Sequence, residues 1–234
     1  MNIEKLSKRL EIVASQIDRG MSLADIGSDH AYLPCYCVLS EICPRAVAGE
    51  IAEGPLLSAR KQVEKAGLVN AIEVRKGNGL QVIAPGEVDC IAIAGMGGAL
   101  ITEILETGKE KLSGVSRLVL QPNVGAWLIR KWLLENAWEL TAEHLVEEDG
   151  KIYEILTAER GEPLRPYRDL ESELLMGPFL LKERTGVFRS KWIQEYKQWK
   201  HILQQLEKAE NQADAEEKKQ KLIRQMEIVG EALK

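Results

Sequence analysis

The densest run of chemically capable side chains in this 234-residue sequence is Ala24-Asp25-Ile26-Gly27-Ser28-Asp29-His30-Ala31-Tyr32-Leu33-Pro34. Two carboxylates flank a glycine directly after a short apolar stretch. Gly27 falls where a tight turn out of a strand needs a permissive backbone. Glu50 ends the next apolar stretch, 23 residues after Gly27. A carboxylate at that distance suits the two hydroxyls of a nucleoside ribose. Three further runs follow: Lys76-Gly77-Asn78-Gly79-Leu80, Ala94-Gly95-Met96-Gly97-Gly98 and Gln121-Pro122-Asn123. Asn78 offers both a donor and an acceptor to an adenine edge, and Ile51 and Leu80 are placed to sandwich its faces. Gly95, Gly97 and Gly98 let backbone approach a ligand, and Met96 supplies an adaptable apolar contact. The amides of Gln121 and Asn123 can read a base, although Gln-Pro-Asn reads more readily as a turn leading into a helix.

Charge decides which nucleoside fits. A dinucleotide lays its pyrophosphate on the amides of the first helix N-terminus. Here that turn carries Asp29 and lacks the G-x-G-x-x-G spacing. An anion there repels phosphate by about 1 kcal/mol even at high dielectric. S-adenosylmethionine has no phosphate, and its ammonium and sulfonium are cations that Asp25 and Asp29 favour. A second role for Asp29, capping the helix that starts near Tyr32, is compatible with the first. His30 alone reads more readily as a solvated histidine than as a catalytic base.

These groups need a scaffold that brings several strand ends together. Short apolar runs, read as strands at 22–26, 46–51, 72–75, 88–94 and 115–120, alternate with helix-like segments at 34–39, 55–66, 79–83, 98–106 and 125–136. Two more strands, 138–146 and 152–158, follow one another with only a short connection and read as an antiparallel edge hairpin. The expectation is an α/β, Rossmann-like fold with a seven-stranded, mostly parallel sheet covered on both faces. Ligands bind such sheets at the carboxyl ends of the strands, near the switch in strand order.

Gly161, Pro163 and Pro166 interrupt both periodicities, so a domain of residues 1–160 is expected to precede a helical one of 161–234. In the second, Trp192, Tyr196, Trp199, Leu203 and Leu206 step by 4, 3, 4 and 3, as do Leu222, Met226, Val229 and Leu233 by 4, 3 and 4. Two such seams separated by the polar segment 211–219 imply a short helix followed by an antiparallel coiled-coil hairpin. A dimerisation arm is the competing use of the same pattern.

The formal net charge of −5 argues against a uniformly basic nucleic-acid coat, yet it is unevenly spread. Residues 1–159 hold 16 basic and 23 acidic side chains, residues 160–234 hold 15 and 13. A mildly basic tail permits RNA binding through a local patch. No apolar run approaches a membrane span, and the first residues have no signal-peptide core. Four cysteines form no C-x-x-C pair and three histidines are scattered. Core cysteines, no metal and a reducing cytoplasm are therefore expected.

The runs Ala24 to Pro34 (ADIGSDHAYLP), Ala48-Gly49-Glu50, Ile93 to Gly98 (IAGMGG) and Leu120 to Asn123 (LQPN) together resemble the bacterial tRNA (adenine-22 N1)-methyltransferase family, TrmK. The similarity spans nearly the whole chain. It implies a class I methyltransferase domain, a coiled-coil tail, S-adenosylmethionine as cofactor without metal, and tRNA as partner of a cytoplasmic monomer or weak homodimer. The cofactor-binding set it implies is Asp25, Gly27, Asp29, Tyr32, Leu33, Glu50, Ile51, Asn78, Gly79, Leu80, Gly95, Met96 and Gly97. Asp29, His30 and Asn123 are the candidate catalytic positions. Lys182, Arg184, Arg189, Lys191, Lys197 and Lys200 are the candidate phosphate contacts. The family commonly has Gly-Asp-Gly-Leu where this chain has Gly77-Asn78-Gly79-Leu80; an amide there can still meet an adenine amino group. A methyltransferase on a non-RNA substrate, or a non-catalytic nucleotide- or RNA-binding module, are the alternatives.

Overall fold

The computed structural model describes residues 3–206 and 212–234. They form two compact units, Met1–Pro166 and Tyr167–Lys234. The first is built on seven strands: β1 (Leu23–Ile26), β2 (Ala46–Glu50), β3 (Ile72–Lys76), β4 (Cys90–Met96), β5 (Arg117–Pro122), β6 (Trp138–Glu148) and β7 (Lys151–Arg160). They make one sheet in the order β3-β2-β1-β4-β5-β7-β6. The pairs from β3 to β5 are parallel, and β7 runs antiparallel to both β5 and β6. Helices α1 (Lys8–Ser15), α2 (Tyr32–Leu39), α3 (Glu53–Lys65), α4 (Gly98–Thr107) and α5 (Ala126–Glu135) accompany the sheet, with 3₁₀ turns at Gly79–Val82 and Lys109–Leu112.

The local chemistry explains the elements. Every residue of β1 (LADI) and β2 (AVAGE) is buried, the pattern of strands covered on both faces. Leu23, Ile91, Ile93, Leu118 and Leu120 are 0% exposed, each burial stabilising by about 1.5–3 kcal/mol. The hairpin β6–β7 turns at Asp149-Gly150, both with positive φ (49° and 72°), as a tight two-residue turn requires. Behind it, the wholly buried Arg130 of α5 pairs with Glu143 of β6, Nε to Oε1 at 2.6 Å, and with Glu154 of β7. This pairing ties α5 to the hairpin, and losing one partner would strand a buried charge.

All seven strands and the five expected helical segments are present, but two boundaries differ in a way that bears on function. β4 extends to Met96 and β5 to Pro122. Gln121-Pro122 is therefore strand, not turn: Gln121 is 0% exposed and paired into the sheet opposite Ala94. The cysteines Cys35, Cys37, Cys43 and Cys90 are buried free thiols.

The second unit holds α6 (Leu170–Met176), α7 (Pro178–Glu183), α8 (Gly186–Leu206) and α9 (Gln212–Ala232). The one short helix expected is two, because Gly177 (φ 90°) breaks the chain and Pro178 restarts it. Arg189, near the start of α8, donates to the Leu233 carbonyl at 2.9 Å, so α9 returns antiparallel. Trp192, Leu222 and Val229 of the two seams are buried, and the other seam positions are half-buried. Residues 212–219, expected as a turn, form the start of α9; residue 211 of that segment lies outside the described residues. No helix is long and apolar enough to cross a membrane among the described residues.

Candidate active site

The carboxyl ends of four adjacent parallel strands open onto a cavity of about 600 Å³, a volume usual for a small-molecule site. Strand by strand, its walls bring Asn78 and Gly79 from beyond β3, Glu50 and Ile51 from the end of β2, Asp25 to Asp29 from the end of β1 and the turn after it, and Ala94 to Met96 from β4. Tyr32 and Leu33 of α2 and Leu100 and Ile104 of α4 complete the apolar lining.

The β1 turn is set by the backbone. Gly27 (φ 73°) and Ser28 both donate N–H to the Gly49 carbonyl, at 2.9 and 3.1 Å. A Cβ on Gly27 would lie 2.2 Å from the Met96 Cε, so only glycine lets that methyl rest on the turn. Asp29 and Ala31 follow with positive φ, 52° and 53°. The Asp29 N–H donates to Glu50 Oε1 at 3.0 Å and the Ile51 N–H to Oε2 at 3.1 Å. Two backbone amides thus aim a carboxylate that is 8% exposed, leaving its remaining lone pairs for a ligand hydroxyl pair. Asp25 is buried at the floor and accepts from Ser28 Oγ at 2.5 Å. Burial raises its pKa to about 6, against the lowering effect of the Ser28 hydrogen bond, and Glu50 adds a smaller upward push. A cationic ligand group would relieve both burial and repulsion.

The β4 and β5 ends form a second network. Gln121 Oε1 accepts from Gly95 N–H at 3.0 Å and from Arg9, while its Nε2 donates to the Pro122 carbonyl at 2.9 Å. Asn123 donates Nδ2–H to the Gly95 carbonyl at 2.7 Å and its backbone N–H to Met96 at 2.7 Å. Its Oδ1 lies 3.5 Å from Gln121 Nε2, at the edge of hydrogen-bond reach, and the residue is exposed.

Of the residues expected here, Asp25, Gly27, Asp29, Tyr32, Leu33, Glu50, Ile51, Asn78, Gly79, Gly95 and Met96 line the cavity. Leu80 does not. It is 1% exposed and turned against Gly108, where an added Cβ would come within 2.6 Å of its own. Leu100 and Ile104 supply the apolar surface expected of it. Gly97 also lies outside the wall, with an ordinary φ of −74° and open space around it, so nothing there requires glycine. His30 is exposed, its Nε2 3.8 Å from Asp29 and its ring 5.3 Å from that of Tyr32. Asp29 does not cap α2: the N-cap is Ala31, without a side-chain hydrogen bond. Asn123 stands beside the cavity rather than in its wall. In the second unit, Lys182, Arg184, Lys197 and Lys200 are exposed. Arg189 is exposed too but spends a donor on Leu233. Lys191 differs: its side chain is 12% exposed, over the Trp192 ring and 3.9 Å from Glu195. Sequence reasoning missed Arg9 and Leu10 of α1; Leu6, Leu10, Val13 and Ile17, stepping by 4, 3 and 4 behind the Ser7 cap, are the signal that marks this helix.

A parallel sheet closed by an antiparallel β7, with a glycine turn and a ribose-type carboxylate at its centre and no phosphate loop, defines a Rossmann-like, S-adenosylmethionine-dependent methyltransferase. The model of the tRNA (adenine(22)-N(1))-methyltransferase family, TrmK, matches residues 23–228, and the chain belongs to that family. It is 52% identical to the tRNA (adenine(22)-N(1))-methyltransferase of Bacillus subtilis, over 100% of this chain and 99% of the relative. The crystal structure of the B. subtilis m1A22 methyltransferase superposes with a TM-score of 0.93 at 50% identity, covering 99% of this chain and all of that one. A Streptococcus pneumoniae putative tRNA (m1A22) methyltransferase in complex with S-adenosyl-L-methionine gives 0.87 at 41% identity, over 98% and 100% of the two chains. Among the described residues no cluster of three or more His, Cys, Asp or Glu could hold a metal.

Proposed function

We infer that this protein transfers a methyl group from S-adenosylmethionine to N1 of adenine 22 in tRNA, work that belongs to the cytoplasm. The observation that carries this reading is the cavity's charge: Asp25, Asp29 and Glu50 converge where a phosphate-bearing cofactor would be repelled and a sulfonium is welcome. Bound there, the cofactor supplies an electrophilic methyl group. Glu50 holds the ribose, Asn78 meets the adenine edge, and Asp25 with Asp29 favours the cationic amino-acid end.

Adenine N1 is a neutral lone-pair nucleophile with no proton to remove, so the protein needs alignment and exclusion of water rather than a base. An exposed His30 outside the cavity wall accords with that. The target edge is the Watson–Crick one, so the base must be unstacked at a cost of a few kcal/mol. Asn123, anchored through Nδ2, keeps Oδ1 as an acceptor for the target's amino group and so presents N1. Positive charge appears on the adenine as the methyl moves, and the exposed Asp29 carboxylate at the mouth favours it. Lys182, Arg184, Lys197 and Lys200 hold tRNA phosphates, which set register rather than sequence.

Incubating the protein with unmodified tRNA and labelled cofactor, then mapping the methylated nucleotide, tests the reading. N1-methyladenine at position 22 is the expected product; methylation elsewhere, or none, overturns it.

A further inference from the structure

Gln121 is 0% exposed at the carboxyl end of β5, behind the mouth rather than in the cavity wall. A buried amide is costly unless its bonds are made, and the partners of this one have fixed polarity. The Gly95 N–H and the Arg9 guanidinium can only donate, so the atom that meets them, the former at 3.0 Å, is Oε1. The Pro122 carbonyl can only accept, so the atom 2.9 Å from it is Nε2. Chemistry thus decides which way round the amide sits. Asn123 obeys the same logic one step further out. The Gly95 carbonyl, 2.7 Å away, can only accept, so Asn123 turns Nδ2 to it and Oδ1 to the other side. Gln121 Nε2 stands 3.5 Å from that oxygen, and a flipped Asn123 would set one NH2 group against another.

Gly95 joins the two amides. It has a φ of 81° and lies where the register of β4 on β5 shifts, between Ala94 and Met96. Glycine at such a point leaves the backbone free to rotate; Gln121 holds its N–H and Asn123 its carbonyl. The exposed Asn123 presents an acceptor only while the Gly95 carbonyl keeps its direction, so the buried amide controls the polarity that a base meets. We propose that Gln121 is a positioning residue for the target adenine: through Gly95 it sets Asn123 so that Oδ1 faces the exocyclic amino group. This rests on the reading above in which Asn123 accepts from that group.

The test pairs two tRNAs, one with adenine and one with purine at position 22. Purine keeps N1 but lacks the amino group, so it has nothing to offer Oδ1. Gln121→Glu keeps the shape and the acceptor towards Gly95. Ionised, it loses the donor to Pro122 and turns an oxygen on Asn123 Oδ1. At saturating cofactor, its single-turnover rate should fall about 10–100-fold on the adenine tRNA, as expected when a polar partner is left unpaired. On the purine tRNA it should stay within about threefold of the unaltered protein. Asn123→Ala should give the same pattern, and the double variant should be no slower than the worse single one, because the two act in series. Gln121→Met, close in volume and uncharged, should behave like Gln121→Glu and serves where a buried carboxylate prevents folding. A cooperative thermal transition reports that each variant is folded. Equal slowing of both tRNAs by Gln121→Met would make Gln121 a structural prop and overturn the proposal. An adenine-selective loss in Asn123→Ala but not in the Gln121 variants would overturn it too, leaving the Asn123 reading intact. If Asn123→Ala slows neither tRNA, or both equally, the Asn123 reading falls and takes the Gln121 assignment with it.

Discussion

At the carboxyl edge of the sheet, Glu50 is 8% exposed and each of its oxygens accepts a backbone N–H. On the helical hairpin, Lys197 and Lys200 stand exposed along α8. The first arrangement holds one charge in place through backbone amides at the ends of buried strands. The second leaves several charges on long side chains, each free to follow a polyanion. Preorganised groups act one by one, whereas solvated charges act as a sum. The two regions should accordingly answer mutation differently.

The largest effect should come from separating them. A chain ending at Pro166 is expected to keep its S-adenosylmethionine affinity while tRNA methylation falls by two orders of magnitude or more, about 3 kcal/mol. Calorimetry and single-turnover assays on the same preparation read both quantities. Full-rate methylation by the shortened chain would remove the tail from RNA recognition, and a change of mass with an unchanged salt slope would make it a dimerisation arm.

Next in size is a single preorganised group. Glu50→Ala should weaken S-adenosylmethionine by about 1–3 kcal/mol, the loss of charged hydrogen bonds, with tRNA affinity unaltered.

Asp25 links the site to pH. Its folded pKa, raised to about 6 chiefly by burial, lies above the ordinary 3.8. The folded protein therefore holds this proton more tightly than the unfolded chain. The carboxylate's burial costs nothing below about pH 3.8, and its full cost, on the order of 3 kcal/mol, is present above about pH 6. Between those values this group alone makes stability fall as pH rises. Asp25→Asn should then raise the thermal midpoint of the ligand-free protein at pH 7.5 while weakening the cofactor. In the unaltered protein, cofactor affinity should decline as pH drops through 6. A variant that is both less stable and equally tight at pH 7.5 would refute this account.

Smallest, and additive, should be the hairpin charges. Lys197→Glu and Lys200→Glu should each weaken tRNA binding about uniformly across sequences and lower the salt slope by about 1. Lys191→Glu tests the converse through its ring and Glu195 contacts: it should register in the unfolding midpoint more than in the salt slope.

The same contrast explains what the sequence made legible. Buried parallel strands read as continuous apolar runs, so their ends, and with them Asp25, Glu50, Asn78 and Gly95, could be located without coordinates. The hairpin seams were legible for the same reason, since Trp192, Tyr196 and Trp199 on one helix, and Leu222, Met226 and Val229 on the other, recur at helical spacing. Leu80 lies outside the cavity wall because the 3₁₀ turn Gly79–Val82 turns it towards Gly108, a rotation that no periodicity over four residues reveals. Arg9 escaped because its meaning lies in Gln121, 112 residues away. In sequence Gln121 reads as part of a turn because proline usually marks one; in the structure Pro122 ends an interior strand beside the antiparallel hairpin.

One close contact has a consequence for how such an enzyme can change. The Gly98 N–H donates to the Val124 carbonyl at 2.8 Å, and a Cβ on Gly98 would lie 2.2 Å from the Gly125 oxygen. The segment after β4 and the segment after β5 are thus riveted backbone to backbone. Neither can lengthen or acquire a side chain at the rivet without displacing the other. Diversification of this mouth towards another base therefore has to proceed by paired changes in both segments, and single substitutions there meet a steric veto before selection can weigh their chemistry.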